Sequence, residues 1–356
     1  MAAQHAPNIA DTGRRRFLWA GALVGVVAAV VWSRPDDSVH EFTGPTMGST
    51  YIVSVDADLT TEEQDRVRGA LDAQLDRVTD LMSTYDPGSQ ISVFNGHEST
   101  EPFAVSGEVL EVLAQAREVS ARSGGAFDVT IGPLIDAWGF GPRDRVGPLP
   151  DEERLAELLL LVGYEGLEID AMGGTISKAN PGIEADLSAI AQGYAADLVA
   201  LALRRLGLTS FLADVGGEIY AVGTRRDGKP WRVGIERPDG AAEVWGTVEL
   251  RDEGIATSGD YRNYFEDGGV RYAHIIDPRT GQPIHSRGAS VSVIHRSAAL
   301  ADAWATALCV LGPVEGFEVA TREGLAALFI TLVDGDLEYR VTPAMEGRVD
   351  VRETRQ

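Results

Sequence analysis

The chain has 356 residues, of which 44% are hydrophobic and 24% are charged. This length exceeds what one small core organises, so we expect one large globular unit or two closely packed ones. The formal net charge of −23 argues against a nucleic-acid partner, because an acidic surface repels phosphates. A single cysteine, Cys309, excludes an internal disulfide, a cysteine zinc cluster and an iron–sulfur cluster.

The N-terminus has the pattern of an export signal. Arg14 to Arg16 precede Phe17-Leu18, and an uncharged apolar run continues to Trp32. The twin arginine followed by Phe-Leu resembles a Tat signal. A generic Sec signal and an uncleaved anchor are alternatives, because no clear cleavage site follows the run. We expect residues 1–38 to be a twin-arginine-type signal or membrane anchor, which would place the remaining chain in the periplasm or on the outer face of the cytoplasmic membrane.

The first predicted elements are a strand around Tyr51–Val55 and two amphipathic helices. Thr60-x-x-Glu63 matches a capping box, and apolar residues recur at helical spacing in the segment that follows. A second helix is predicted from Ser106 to Ser123, because two glycines come directly after it and offer a left-handed exit.

Short strands and helices then alternate along the chain. The remaining predicted elements are short strands within residues 167–186, a helix at Ala189–Leu206, strands at Ser210–Asp214, Glu218–Val222, Trp231–Glu236, Glu243–Leu250, Tyr272–Ile276 and Ala289–His295, a helix at Ala298–Leu311, and a strand at Ala327–Leu332. Because these elements show neither a regular βαβ period nor an internal repeat, we predict an α+β fold. We expect one domain over residues 39–345 and a charged tail over residues 346–356.

Eight segments stand out along the chain, and most of them combine glycine with polar residues in a way that an ordinary core does not need. In chain order they read GPTMGSTY (44–51), MSTYDPGSQISVFN (82–95), GGAFDVTIGPLIDAWGFG (124–141), DLSAIAQGYAAD (186–197), DVGGEIYAVG (214–223), ATSGDY (256–261), HIIDPRTGQPI (274–284) and ADAWATAL (301–308). This ordered set resembles the motif series of the ApbE family, which are Mg²⁺-dependent FAD:protein FMN transferases, over roughly residues 40–335. The resemblance implies a single large, T-fold-related domain.

One pair of residues is suited to a metal ion. Asp302 and Thr306 are four residues apart on a predicted helix, so both could present oxygen ligands to a hard cation from one helix face. By spacing alone, a solvated or capping pair is the more common explanation of this pattern. The family resemblance implies that they bind Mg²⁺ together with the backbone carbonyls of Ala189 and Ala305.

The resemblance also implies a set of positions that contact FAD, namely Met47, Tyr85, Ala126, Phe127, Asp128, Asp186, Gln192 and Ile276. The residues themselves leave structural alternatives open. Met47 and Tyr85 could be core residues, and Asp186 could be the N-cap of the helix that follows it. The segment ending at Asp128 could be a plain turn whose ring and carboxylate grip a heterocycle or simply pack.

His274 and Asp277 are the candidate catalytic residues. A histidine at a strand end next to an Asp-Pro turn can be a general base or can cap the turn. The resemblance implies that FMN passes from FAD to a threonine or serine hydroxyl of an acceptor flavoprotein subunit, with release of AMP. A Mg²⁺-dependent FAD pyrophosphatase and a non-catalytic flavin-binding scaffold are the alternatives.

Overall fold

The computed structural model describes residues 39–143, 147–238, 243–259, 264–268, 270–284, 290–333 and 335–351. The predicted export signal, and Asp260-Tyr261 of the sixth motif, lie outside the described residues.

An antiparallel sheet of eight strands forms the centre of the fold, in the order β1-β2-β6-β7-β10-β13-β14-β15. The strands of the described chain are β1 Val39–Thr46, β2 Ser49–Asp56, β3 Phe103–Ala104, β4 Leu167–Asp170, β5 Thr175–Lys178, β6 Phe211–Val215, β7 Glu218–Val222, β8 Trp231–Glu236, β9 Val244–Leu250, β10 Glu253–Gly259, β11 Tyr264–Asp267, β12 Val270–Ala273, β13 Ser290–His295, β14 Ala326–Val333, β15 Asp336–Val341 and β16 Val349–Val351.

Helices cover one face of this sheet and a small second sheet covers the other. The helices are α1 Thr61–Met82, α2 Gln90–Asn95, α3 Gly107–Arg122, α4 Gly132–Trp138, α5 Glu152–Leu159, α6 Ser188–Arg205 and α7 Ala298–Arg322. Neighbouring residues of β6 show the two faces: Ala213 packs in the helical core, whereas Leu212 packs against the sheet β16-β9-β8. Successive side chains of a strand point to opposite faces of the sheet. Because both faces are covered here, β6 and β7 are buried along their whole length. The predicted α+β class is confirmed.

Several local predictions are confirmed. The side chain of Thr60 accepts a hydrogen bond from the N–H of Glu63 and the Glu63 carboxylate accepts one from the N–H of Thr60, so the capping box is present. Strands β7 and β8 have the predicted bounds. The predicted strand Tyr272–Ile276 is wrong at its end, because β12 stops at Ala273 and Ile276 makes only an isolated bridge with Pro283.

Helix α7 is longer than the sequence indicated. The predicted end at Leu311 is wrong, because the chain re-enters a helix after Gly312-Pro313 and continues to Arg322. Gly312 has φ 76° and ψ −179° and makes the break itself. By length and composition α7 could cross a membrane, yet 67% of its most apolar window is buried inside the protein. It is a core helix.

The C-terminal boundary at residue 345 is too early. Met345 is fully buried, and β16 pairs with β9 through Val349 and Val351. Part of the expected charged tail is therefore a strand of the second sheet. Alternating valines provide its apolar side, and three residues were too short a pattern to stand out in the sequence.

This boundary can be tested with two truncated chains, one ending at Val351 and one at Arg348, which differ only in β16. We expect the shorter chain to be less stable by about 1–3 kcal/mol, because it exposes β9 and loses two half-buried valines. Urea unfolding of the two chains measures the difference. Equal stabilities would show that β16 contributes nothing to the fold.

Candidate active site

The candidate site lies at one edge of the central sheet. The register pairs Tyr51 of β2 with Val215 of β6, and Val215 with Glu218 of β7, so the turns β1–β2 and β6–β7 lie at the same edge. Strand β10 leaves β7 after Ile255 and runs past that edge towards Ser258. The sheet thus brings three motif segments together that are far apart in sequence.

Both turns at this edge have two central residues with positive φ. Met47 and Gly48 have φ values of 43° and 71°, and Gly216 and Gly217 have values of 73° and 110°. Positive φ matches the twist of tight hairpins. For Met47, which is not a glycine, this conformation costs about 1 kcal/mol. Strain of this kind concentrates at functional sites, which favours the expected ligand-contact role of Met47 over a plain core role.

The first turns of α6 lie over the β6–β7 turn. A Cβ atom on Gly216 would be 2.6 Å from Nε2 of Gln192, so the glycine leaves room for this amide at the sheet edge. The Oδ1 atom of Asp214 accepts a hydrogen bond from the N–H of Gly217 at 2.9 Å and holds the turn. Gln192 therefore lies beside the β6–β7 turn at this edge of the sheet.

Helix α6 begins irregularly at the site. Asp186 lies one residue before the N-cap, and its Oδ1 accepts from the N–H and the hydroxyl of Ser188 at 2.8 and 2.5 Å. Asp186 holds the turn that starts the helix. It therefore has a structural role close to the N-cap role considered above, although the N-cap itself is Leu187. Ala189 inside the first turn has non-helical angles, φ −90° and ψ 19°. This irregularity affects the carbonyl that the resemblance assigns to the metal.

Helices α6 and α7 approach closely at Gly193. A Cβ atom there would lie 2.3 Å from the carbonyl oxygen of Ala298, so only glycine allows this contact. The N–H of Gly193, which a regular helix would direct at the carbonyl of Ala189, donates to Oδ2 of Asp302 at 3.3 Å. The structure thus places Asp302, a predicted metal ligand on α7, against α6 one turn after Ala189.

Asp302 is a buried carboxylate. Burial raises its pKa to about 7, although the Gly193 N–H acts in the opposite direction. One turn later, the hydroxyl of Thr306 is 3.0 Å from the hydroxyl of Ser258 on β10. Ala305 between them is fully buried. Among the described residues, no group of three or more His, Cys, Asp or Glu could hold a metal, so a cation here would need hydroxyl and carbonyl oxygens as well.

Tyr85 lies exposed beside two carboxylates. Its hydroxyl donates to the backbone carbonyl of Phe140 at 3.2 Å, and 67% of the residue is exposed. Partial desolvation, followed by the nearby carboxylates of Asp186 and Asp136, raises the pKa of Tyr85. The core alternative for Tyr85 is wrong, and an exposed ring next to the start of α6 suits a planar ligand.

An aromatic cluster lies behind Tyr85. It consists of Trp138, Phe140, Phe265 and Tyr272. The rings of Phe265 and Tyr272 stack with centroids 5.2 Å apart, and the ring of His274 is 6.5 Å from that of Phe140. His274 therefore belongs to the same neighbourhood as Tyr85, connected to it through Phe140.

The segment Ala126–Asp128 points inwards. Ala126 and Phe127 are buried in the helical core. The carboxylate of Asp128 accepts hydrogen bonds from the N–H and hydroxyl of Thr130 and from the N–H of Tyr164, at 2.6 to 2.8 Å, and burial raises its pKa. The ring of Phe127 and the carboxylate of Asp128 are thus buried and used by the protein itself, and the predicted contact of this segment with FAD stays a prediction.

Ile276 and Asp277 are also used by the protein itself. Ile276 is buried in a small cluster with Leu134 and Trp138. The carboxylate of Asp277 binds the guanidinium of Arg279 at 2.9 Å within its own turn. The structure therefore gives Asp277 a role in shaping the turn after His274.

An ion-pair group that was not predicted from the sequence lies next to Tyr85. Arg143 lies 3.3 Å from Asp136 and 2.6 Å from Glu184, and Oδ1 of Asp136 is buried without a hydrogen-bond partner. Burial raises the pKa of Asp136 more than Arg143 lowers it. A carboxylate inside the apolar segment LIDAW was the signal that could have revealed this group.

A cavity of about 370 Å³ lies at the opposite edge of the sheet, away from these residues. It is lined by Arg204, Gly207, Leu208, Thr209, Val222, Gly223 and Asp252. None of the predicted site residues lines this cavity, although Val222 and Gly223 belong to the end of the fifth motif.

A model of the ApbE family matches residues 47–329 of this chain. The chain belongs to the ApbE family. An FAD:protein FMN transferase from Vibrio cholerae is 42% identical over 90% of this chain and 96% of its own length. One from Haemophilus influenzae is 36% identical over 93% of this chain and 97% of its own length.

Solved structures of the ApbE family agree with the fold. The flavin transferase ApbE from Vibrio cholerae is 40% identical to this protein, with a TM-score of 0.79 over 86% of this chain and 98% of its own. The apo form of the Pseudomonas stutzeri flavinyl transferase ApbE is 39% identical, with a TM-score of 0.79 over 87% of this chain and 96% of its own.

The close contact at Gly193 gives a sharp prediction for this ApbE-family protein. The change Gly193→Ala should destabilise it by about 1–3 kcal/mol, because the added methyl group meets the backbone of α7 and forces the two helices apart. The matched control is Gly69→Ala in α1, where a Cβ atom meets nothing within 4 Å. That exchange should stabilise by about 0.5–1 kcal/mol. Thermal and urea unfolding measure the stability of both variants. An unchanged stability of Gly193→Ala would contradict the need for glycine at this helix contact.

Proposed function

We propose that this protein transfers FMN from FAD to the hydroxyl of a threonine or serine in an acceptor protein, using Mg²⁺ and releasing AMP. The chain is an enzyme of the flavin transferase class, as its family membership and its relatives named FAD:protein FMN transferase establish. The observation that supports the finer proposal is that the buried carboxylate of Asp302 on α7 accepts the N–H of Gly193, one turn after the irregular backbone at Ala189 on α6, while Thr306 follows one turn later on α7.

The residues at this crossing fit Mg²⁺. All of the donors are oxygens, which is what a hard cation requires, and Mg²⁺ characteristically keeps waters and takes further oxygens from substrate phosphates. A buried carboxylate with one N–H donor is costly unless a cation accompanies it. Asp302, Thr306 and the carbonyls of Ala189 and Ala305 would hold the ion. When bound, it would neutralise negative charge on the diphosphate of FAD.

The proposed reaction forms one bond and breaks one. The acceptor oxygen attacks the phosphorus on the FMN side of the diphosphate, the bond from that phosphorus to the bridging oxygen breaks, and AMP leaves with that oxygen. The acceptor hydroxyl must lose its proton. We assign this proton to His274, which lies beside the aromatic cluster, while Asp277 and Arg279 hold the turn after it.

The chain's other residues would bind and orient FAD. Tyr85 offers an exposed ring, and Met47 lies at the turn of the same sheet edge. Gln192 presents an amide above the β6–β7 turn. The turn held by Asp186 and the backbone at Ala126–Asp128 provide further fixed polar groups. Fixed groups of this kind position the reacting phosphorus without reorganising during the reaction.

The metal assignment is tested by Asp302→Ala. We expect it to lower Mg²⁺-dependent AMP release from FAD at least a hundredfold, because the only carboxylate among the proposed ligands is lost, while the fold remains intact. The control is Asp252→Ala at the opposite edge, which should keep its activity. AMP is quantified by chromatography, and covalent flavin is detected by in-gel fluorescence with exported proteins of the host as acceptors. Undiminished AMP release by Asp302→Ala would refute the assignment.

The same assay separates the alternatives. FMN transfer predicts AMP together with a fluorescent acceptor band. A pyrophosphatase, in which water replaces the acceptor hydroxyl, would give free FMN and AMP without such a band. A flavin-binding scaffold would bind FAD and release no AMP at any Mg²⁺ concentration.

We further propose that residues 1–38 export the enzyme, since the twin arginine and the apolar run together have the pattern of a signal. The full chain should fractionate with the periplasm or the cytoplasmic membrane. Replacing Arg14–Arg16 by lysines should leave it in the cytosol if the route is the twin-arginine one. Cytosolic location of the unaltered full chain would contradict export.

A further inference from the structure

Helices α6 and α7 are joined by polar contacts at successive turns. Gly193 on α6 donates its N–H to Asp302 on α7, and Asp197, one turn later on α6, binds the N–H of Ala298, one turn earlier on α7. The helices thus run antiparallel here, with a step of four residues on each. The same step, taken once more towards the site, leads to Ala189 on α6 and Thr306 on α7. Two of the proposed metal ligands, Ala189 and Thr306, are therefore the next positions in this register.

Asp197 makes three of these contacts. Its Oδ1 accepts from the N–H of Ala298 at 2.8 Å, and its Oδ2 accepts from the hydroxyl of Ser297 at 2.7 Å and the N–H of Ala299 at 3.1 Å. The first N–H groups of a helix lack partners within the helix, and their positive end favours a carboxylate. From the neighbouring helix, Asp197 supplies hydrogen-bond acceptors for these N–H groups and a negative charge at the positive end of α7.

Capping alone does not explain this arrangement. Ser297 already caps α7, since its hydroxyl accepts from the N–H of Leu300 at 3.2 Å. Asp197 instead ties the cap to α6. A carboxylate that binds two adjacent N–H groups and a hydroxyl resists both sliding and rotation of the helix it holds. A shift of α7 by one residue would turn Asp302 by about 100° away from Gly193.

We propose that Asp197 is a positioning residue for the metal site, a role that rests on the proposed function. By fixing the start of α7 against α6, Asp197 sets the places of Asp302 and Thr306 relative to Ala189. It touches neither the metal nor the substrate. Outer-shell residues that orient metal ligands typically change metal affinity by about 10- to 100-fold when they are replaced.

The test measures Mg²⁺ binding directly, by calorimetry and by the Mg²⁺-dependent rise in Tm, in the full chain without FAD. We expect Asp197→Asn to raise the dissociation constant for Mg²⁺ about tenfold. In the transfer assay, excess Mg²⁺ should restore most of kcat with little change in the KM for FAD. The matched control is Asp56→Asn, another buried carboxylate, which accepts from the N–H of Arg226 at 2.7 Å at the far end of β2. It should leave Mg²⁺ binding unchanged.

Ser297→Ala provides a milder second variant, which removes one of the three donors and keeps the carboxylate. It should weaken Mg²⁺ binding about two- to threefold, and it decides the matter if Asp197→Asn does not fold. If both variants bind Mg²⁺ as tightly as the unaltered protein does, even with a lower Tm, Asp197 has only a structural role and the inference fails. If the unaltered protein binds no Mg²⁺ and also releases no AMP from FAD in the presence of Mg²⁺, the proposed function fails instead.

Discussion

The close crossing of α6 and α7 at Gly193 is the constraint on which the candidate site depends. The carbonyl of Ala298 occupies the space that any side chain at position 193 would need, so the two backbones can touch. This contact lets a backbone N–H of α6 reach the carboxylate of Asp302 in the interior. The chain isolates a charged group from water at this one crossing, and the raised pKa of Asp302 is the energetic consequence.

The strong negative charge of the chain sharpens the need for a local cation. FAD carries a diphosphate, and the cations described near the site already have partners: Arg143 binds Glu184, and Arg279 binds Asp277. Such pairs leave little net positive charge for an incoming anion. For the part of the chain that the structure describes, a bound divalent ion and fixed backbone N–H groups are means by which an acidic protein can hold a diphosphate. The electrostatics and the oxygen-rich crossing thus favour the same proposal.

Local patterns made much of the fold predictable, whereas long-range contacts did not follow from them. Thr60 and Glu63 cap α1, and the bounds of β7 and β8 follow from apolar runs between turns. The link between Asp197 and Ala298 joins residues 101 positions apart and has no sequence signal of its own. The continuation of α7 beyond Gly312 was missed because Gly-Pro normally ends a helix. Motif order revealed the site, but packing decided which atoms face it.

The motif residues that turned out to be buried explain how the site is kept rigid. Asp128 uses its carboxylate to hold Thr130 and Tyr164, Asp186 holds Ser188, and Asp277 holds Arg279. Each acid fixes a turn whose backbone then lies at or near the site. Asp128 and Asp186 were predicted to contact FAD because a motif does not distinguish a side chain that binds a ligand from one that shapes the backbone. In this protein, several acidic side chains hold turns, so these carboxylates fix the shape of the backbone around the candidate site.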